Sequence, residues 1–410
     1  MSDFSITDFS AGDCTIDALI VTSSRGVADM TKQILHTSVF ESMFHPTITA
    51  DFDVIDFSDY LSELRLLGDE TVTLQFTVPT RGTASYKFAL HRIEGVTSPS
   101  TRSKTYKLRC VSEEALHAKT NYVQKSYNTQ ISSMIQDVQN TFLKSGKAFM
   151  SEASAGLQKV IVPNLPPFKA IDFLRRHAVS LNNKSSTFLF FENQAGFNFK
   201  TIEGMYAQGP VRTFTQTDAV GYDSSNLHYD NILAYTVPRV ASSTERIKYG
   251  MKRRVMTFNF RTHRIEIKDV DTSDTSMKTG GSLSYNVGEF IQKFTSGVTN
   301  PPFSFVPVDN AQRPMTGIAE ASADQMSYLS TLVQSSMTIK TYGDPVLKVG
   351  DVVQLAIPKK ANLTYIDELD PLLSGNFLIT RLHHEIGNPA EKPRYTNSIE
   401  LIRGNQEPAS

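Results

Sequence analysis

The chain has 410 residues, 40% hydrophobic and 20% charged, enough apolar material for two to four domains with their own cores. A net charge of -1 excludes a global field that would draw nucleic acid or an anionic membrane, and two cysteines, Cys14 and Cys110, exclude a disulfide framework. The acidic, polar opening "MSDFSITDFSAGD" does not read as a secretory leader, and no run of about 18 apolar residues predicts a membrane-spanning helix. The cysteine usage fits a reducing compartment. Tryptophan is absent, which disfavours a sugar cleft built on wide aromatic platforms, although 15 Tyr and 25 Phe can substitute.

The first third reads as β-structure. In "TITADFDV" (47–54), Ile48, Ala50, Phe52 and Val54 alternate with polar residues, and "TVTLQFTV" (71–78) repeats the pattern with Val72, Leu74, Phe76 and Val78. Strands "YKFALHRI" (86–93) and "YKLRCV" (106–111) follow, with "TSPSTRS" expected as the turn between them. Such spacing predicts a small antiparallel barrel or sandwich. The period then changes. Ile131, Met134, Ile135, Val138 and Phe142 predict a helix over 128–143, and Phe168, Ile171, Leu174, Ala178 and Leu181 predict a second over 166–182, with Pro167 in its first turn. An aromatic hairpin over 187–202 completes a small α+β unit. Strands return from about 225 ("NILAYTV", "RVMTFNF"). The polar stretch 271–286 predicts an exposed loop, and 321–336 a helix. Between Lys248 and Lys268 stand Lys252, Arg253, Arg254, Arg261 and Arg264 against one acid, Glu266, which reads as a solvated strand face before it reads as a polyanion contact.

One unit occurs twice. "GDETVTLQFTVP" (68–79) resembles "GDVVQLAIP" (350–358), "FALHRI" (88–93) resembles "FLITRL" (377–382), and "TYKLRCV" (105–111) resembles "NSIELIR" (397–403). Phe88 matches Phe377, Leu90 matches Ile379 and Arg92 matches Arg381. The histidine pair in "LITRLHHE" then lies on the middle strand of the second copy. Neighbours on a strand point to opposite faces, so His383 and His384 do not converge on one ion; His383 and Glu385 share a face but fall short of three or four ligands. The expectation is polar residues at a strand end, with His384→Ala leaving assembly nearly unchanged. The "HRIE" stretches at 91–94 and 263–266 likewise set His and Glu on opposite faces.

Enzyme motifs are incomplete. "GGSLS" (280–284) ends in Ser284 where a nucleophile elbow needs Gly, and Gly146-Lys147 lacks the remaining P-loop residues. Asp269, Asp271 and Asp274 suggest a calcium loop without its central Gly and closing Glu; Gly280 holds the closing position. No catalytic, cofactor-binding or metal-ligating residue is assigned, and no cofactor is expected.

"SVFESMFHPTITADFDVID" (38–56), "LLGDETVTLQFTVP" (66–79) and "KTYKLRCVSEEAL" (104–116) resemble the start of bacteriophage baseplate central hub proteins of contractile tails. "PPFKAIDFLRRHAVSLNNKSSTFLFFEN" (166–193) resembles that family's middle domain, and residues 344–402 resemble its second tube-like barrel. The resemblance implies a mainly β chain with an α+β middle domain and two related tube-like antiparallel β-barrels at its ends. The expected division is 1–115 for the first barrel, 116–210 for the middle domain, 211–245 with 320–405 for the second barrel, and 246–319 for an inserted domain facing spike or wedge. It further implies a homotrimer whose six barrels form a pseudo-six-fold ring between a six-fold tail tube and a three-fold spike. Neighbouring barrels would continue their sheets across subunit boundaries, covering edge strands. Expected partners are the tube or its initiator, a separate central spike, baseplate wedge proteins and DNA as passing cargo, without membrane insertion. The expected location is the virion baseplate after assembly in the host cytoplasm. No needle of short β-repeats and no lysozyme-like insertion is legible. Two alternatives stand: the hub of a contractile injection or secretion machine, and a tail-associated peptidoglycan hydrolase using acids such as Asp172, Glu192 and Glu203, which otherwise read as solvated surface.

Overall fold

A computed structural model describes residues 11–183, 185–216, 229–238, 253–259, 263–270, 303–308, 336–359, 369–370, 373–387 and 394–403. The expected loop over 271–286, residues 321–335 of the expected helix, and Asp271, Asp274 and Gly280 lie outside them; Ser336, expected as the helix's last residue, instead begins a strand.

The alternating segments become strands because only one face of each is apolar. The first unit contains β1 (Thr15–Ser23), β2 (Gly26–Asp29), β3 (Ile34–Ser42), β4 (Thr49–Asp56), a one-turn α1 (Tyr60–Glu63), β5 (Thr71–Val78), β6 (Gly82–Ser100) and β7 (Ser103–Val111). Its hydrogen-bonded order is β3-β4-β7-β6-β5-β1-β2, all antiparallel. Phe52, Val72, Leu74, Phe76 and Leu108 are fully buried in its core. The stretch 97–100, expected as a turn, instead continues β6 to the hairpin tip at Ser100 and Ser103. Its hydroxyl ladder explains this: Thr97 pairs with Thr105 at 2.6 Å and Ser100 with Ser103 at 2.8 Å.

The α+β unit follows: α2 (Glu113–Thr120), β8 (Val123–Thr129), α3 (Ile131–Thr141), β9 (Phe149–Ser151), β10 (Gln158–Leu165), α4 (Pro167–Arg175), β11 (Phe188–Asn193), β12 (Gly196–Thr201) and α5 (Ile202–Tyr206). Helix α4 is shorter than the spacing predicts. It ends at Arg175, Ser180 pairs back with Ser154, and Leu181 is 58% exposed. Ala178 still packs into the α+β core from the turn that follows, whereas Leu181 does not. Every residue of β11 is buried. Phe188 and Phe190 pack into the α+β core, while Leu189 and Phe191 pack into a separate core beyond. A strand covered on both faces reads as a continuous apolar run, here "FLFF".

That separate core belongs to the second unit. It holds β13 (Pro210–Thr215) and β14 (Ile232–Thr236); then, after a small sheet of β15 (Arg253–Asn259), β16 (Arg264–Val270) and β17 (Phe303–Val308), it continues with β18 (Ser336–Tyr342), β19 (Val352–Ala356), β20 (Gly375–Ile386) and β21 (Tyr395–Arg403). Within the small sheet Arg254 pairs with Asp269 at 2.7 Å.

The strand order β14-β18-β21-β20-β19 repeats β3-β4-β7-β6-β5. Even the bulges coincide. The β6·β7 ladder slips between Leu90 and Arg92, and β20·β21 slips between Ile379 and Arg381. The β3·β4 ladder slips between Ile34 and His36, and β14·β18 between Ile232 and Ala234. Bulges re-aim a strand at a defined point, so two shared bulges mark one duplicated design. Each copy also closes its turn alike. Leu67 N–H donates to the Glu70 carboxylate at 2.7 Å, as Lys348 N–H does to Asp351 at 3.0 Å.

This register keeps Phe88 on Phe377 and Arg92 on Arg381, but it corrects the flanking strands by one residue. Asp351 stands where Glu70 stands, and 396–402 matches 105–111. The second unit also departs from an all-antiparallel barrel: β13 runs parallel to β19, where β1 runs antiparallel to β5.

Candidate functional site: the joint between the barrels

The two units form one 13-stranded sheet because β20 pairs antiparallel with β3, from Arg381↔Ser42 to Ile386↔Thr37. One edge of β20 is thus shared in series. Residues 375–378 pair with β19, and 381–386 pair with β3.

"LITRLHHE" lies at the centre of this joint. On the outer face the His383 ring stacks on Phe40 at 4.2 Å, and Glu385 pairs with His36 and Lys340, each at 3.4 Å. On the inner face His384 is fully buried, with Nδ1 2.5 Å from the Tyr395 hydroxyl and Nε2 3.4 Å from the Tyr86 hydroxyl. His384 is therefore not a strand-end surface residue as expected. It fills a seam between two cores, which local alternation does not reveal. Burial and the neighbouring His383 push its pKa down to about 4, so it is neutral at pH 7.

Glu41 completes the seam. It sits on β3, fully buried, and accepts backbone N–H groups from Gln194 at 3.1 Å and Val349 at 3.2 Å, while the Tyr86 hydroxyl donates at 3.4 Å. One carboxyl group thereby ties the first barrel to the α+β hairpin and to the second barrel. Burial, with the nearby Glu192, pushes its pKa up to about 8, although the two N–H donors pull the other way.

A second node joins the α+β unit to the first barrel. Glu192 on β11 accepts from Ile48 N–H at 3.1 Å and from the Ser112 hydroxyl at 2.5 Å, and it pairs with Lys147 at 2.6 Å. Lys147 also pairs with Glu114 at 2.7 Å. Burial raises Glu192; burial acts the same way on Glu114, but Lys147 outweighs it there and leaves that carboxyl below its ordinary range. A third node links the barrels on the far side. Asp344 pairs with Arg81 at 3.2 Å and Arg212 at 2.8 Å, and Arg81 also pairs with Asp230 at 2.9 Å.

The three acids considered for hydrolysis are dispersed among structural roles. Asp172 pairs with Arg175 and Arg176 along its own helix, and Glu203 accepts from Thr187. Glu192 is 2% exposed, which corrects its reading as a solvated acid. His91 is exposed, Glu94 pairs with Arg92 and Arg109, and His263 and Glu266 are exposed. Among the described residues no three His, Cys, Asp or Glu side chains gather as a metal site, and no helix is long and apolar enough to cross a membrane.

Solved tail proteins share this architecture. The tail protein from Neisseria meningitidis MC58 superposes with a TM-score of 0.59 at 11% identity, covering 94% of this chain and 96% of that one. The 43 kDa tail protein of prophage MuSo2 from Shewanella oneidensis superposes at 0.54 with 9% identity, covering 94% and 98%. This chain has a phage tail-protein fold. The agreement with the tail-hub resemblance holds at the level of the fold. No protein-family model and no curated protein matches the chain.

Sequence reasoning missed Glu41, Tyr86, Tyr395 and Asp344. Glu41 left one trace. In "SVFES" the acid takes the inward position and Phe40, 39% exposed, takes the outward one, an inversion of the usual apolar-in, polar-out pattern that marks a polar contact inside.

Proposed function

We propose that this chain is a structural tail protein, a baseplate hub, that works as a trimer. Three chains bring six related barrels into a pseudo-six-fold ring. The ring seats a six-fold tail tube on one side and a separate three-fold spike on the other, and it encloses the channel through which DNA leaves. Residues 1–115 and 211–245 with 320–405 supply the barrels, 116–210 the outer wall, and 246–319 a face toward spike or wedge proteins. The protein acts in the virion baseplate after assembly in the host cytoplasm and carries no catalytic step.

The observation that supports this reading is the duplicated barrel joined to its twin by a continuous sheet. A ring of six equivalents built from three chains needs two barrels per chain, set side by side through a repeatable contact. The joint also serves rigidity. Burial of a neutral His, a neutral carboxyl group and two Tyr hydroxyls in mutual contact fixes the angle between barrels, since each is costly to leave unpaired. A tail-tube adaptor requires such a fixed angle; a hydrolase requires an open cleft with convergent acids. Light scattering on the purified chain tests the proposal. A mass of three chains supports it, whereas a monomer that clears peptidoglycan in a zymogram supports hydrolysis instead.

A further inference from the structure

We infer that chains join through the edge of β6 from Arg92 to Thr97, which receives β14 of a neighbouring copy in the same antiparallel manner that β20 receives β3 within the chain. This rests on the hub reading and specifies its subunit contact.

The repeat carries the inference. In the shared register β6 is the counterpart of β20, and β14 is the counterpart of β3. The β20 edge holds β19 first and β3 beyond it. The matching β6 edge holds β5 as far as Ala89; beyond that, among the described residues, no strand occupies it. Side chains follow suit. Leu382 is 1% exposed under the intact joint, while its counterpart Ile93 is half-buried. Ser38, covered by β20, is 6% exposed, while its counterpart Thr236 is exposed. Apolar groups wait on both sides: Val96 is 53% exposed on β6 and Leu233 is 41% exposed on β14.

The occupant is a second copy because the chain already uses this contact once. A head-to-tail contact repeated at an angle that divides a full turn closes into a ring, with intrachain and interchain joints alternating around it, and the hub reading requires that angle. The register follows from the repeat. Glu94 stands where His383 stands and so faces Pro238, the counterpart of Phe40. Gly95, at φ +66, opens a bulge in β6, so Gly95 and Val96 together oppose Val237, and Thr97 faces Thr236. Pro238 has no N–H to give, which limits the ladder to the residues before it.

A double variant, Thr97→Cys with Thr236→Cys, tests this. Facing Cα atoms in an antiparallel pair lie about 5 Å apart, within disulfide reach. Both native cysteines are buried, which keeps background crosslinking low. Mild oxidation should move most of the chain into a reducible band of three chain masses and no higher, while either single variant stays uncrosslinked. A trimeric mass in solution without crosslinks overturns this joint and leaves the hub reading standing. A monomeric mass without crosslinks at millimolar concentration overturns both, and a ladder running past three chains overturns ring closure.

Discussion

The Glu41 carboxyl group of the first barrel accepts the Val349 N–H of the second at 3.2 Å, across 308 residues of sequence. Val349 closes the turn before β19 and Glu41 lies on β3, so this contact sets the distance between the barrels independently of the β3·β20 ladder.

Burial of this carboxyl group, which outweighs the N–H contact, carries a pH dependence. Glu41 holds its proton to about pH 8 in the folded chain, against an ordinary value of 4.5, so its stabilisation is complete below 4.5 and is lost as pH rises through 8. His384 works oppositely: lowered from 6.5 to about 4, it contributes stability above 6.5 that is lost as pH falls through 4. Between 4.5 and 6.5 the two slopes offset each other. Above 6.5 only the Glu41 slope remains, and unfolding free energy should fall by roughly 2 kcal/mol by pH 8. Glu41→Gln should flatten that decline in denaturant titrations run at each pH.

His384→Ala should cost about 2 kcal/mol and loosen the joint, because it empties a fully buried site and takes a hydrogen-bond partner from the Tyr395 and Tyr86 hydroxyls, leaving Tyr86 with Glu41 alone. This reverses the sequence-based expectation of a near-silent change. His383→Ala, which removes a half-exposed ring stacked on Phe40, should cost under about 1 kcal/mol by the same denaturant measurement.

Lys147→Met should cost about 3 kcal/mol in chemical denaturation, since it leaves Glu114 and Glu192 buried without their shared cation. Asp172→Asn, which breaks a solvated helix pair, should stay within about 0.5 kcal/mol.

Leu74→Asp places a charge at a fully buried site of the first core and should cost several kcal/mol, abolishing assembly on size exclusion. Gly343→Ala is subtler. A Cβ there would lie 1.9 Å from the Tyr395 ring, whose hydroxyl holds His384, so the variant should fold less stably by about 2 kcal/mol and show altered Tyr fluorescence.

Much of the fold was legible because it follows period two. The alternating apolar residues of β4 and β5 predicted both their strands and their buried face. The repeat was legible through Phe88, Leu90 and Arg92 against Phe377, Ile379 and Arg381, but its flanks slipped by one residue. Matching the letters Gly-Asp competed with a register that bulges at His91 and Thr380 set, and no local composition announces a bulge. The joint was not legible. Glu41, Tyr86 and His384 meet only because β3 and β20 pair across more than 300 residues, and an inward Glu in a strand looks like noise until its partners are placed. Glu192 was misread for the same reason: "FLFFEN" is covered on both faces by different cores.

The most direct test of the central claim is electron microscopy of the purified chain, with two-dimensional averaging of views along the symmetry axis. A trimeric hub should appear as a closed ring of six similar lobes around a central hole, three-fold when the outer wall is included. Averages showing isolated two-lobed particles, or a ring whose lobes number three, would contradict it.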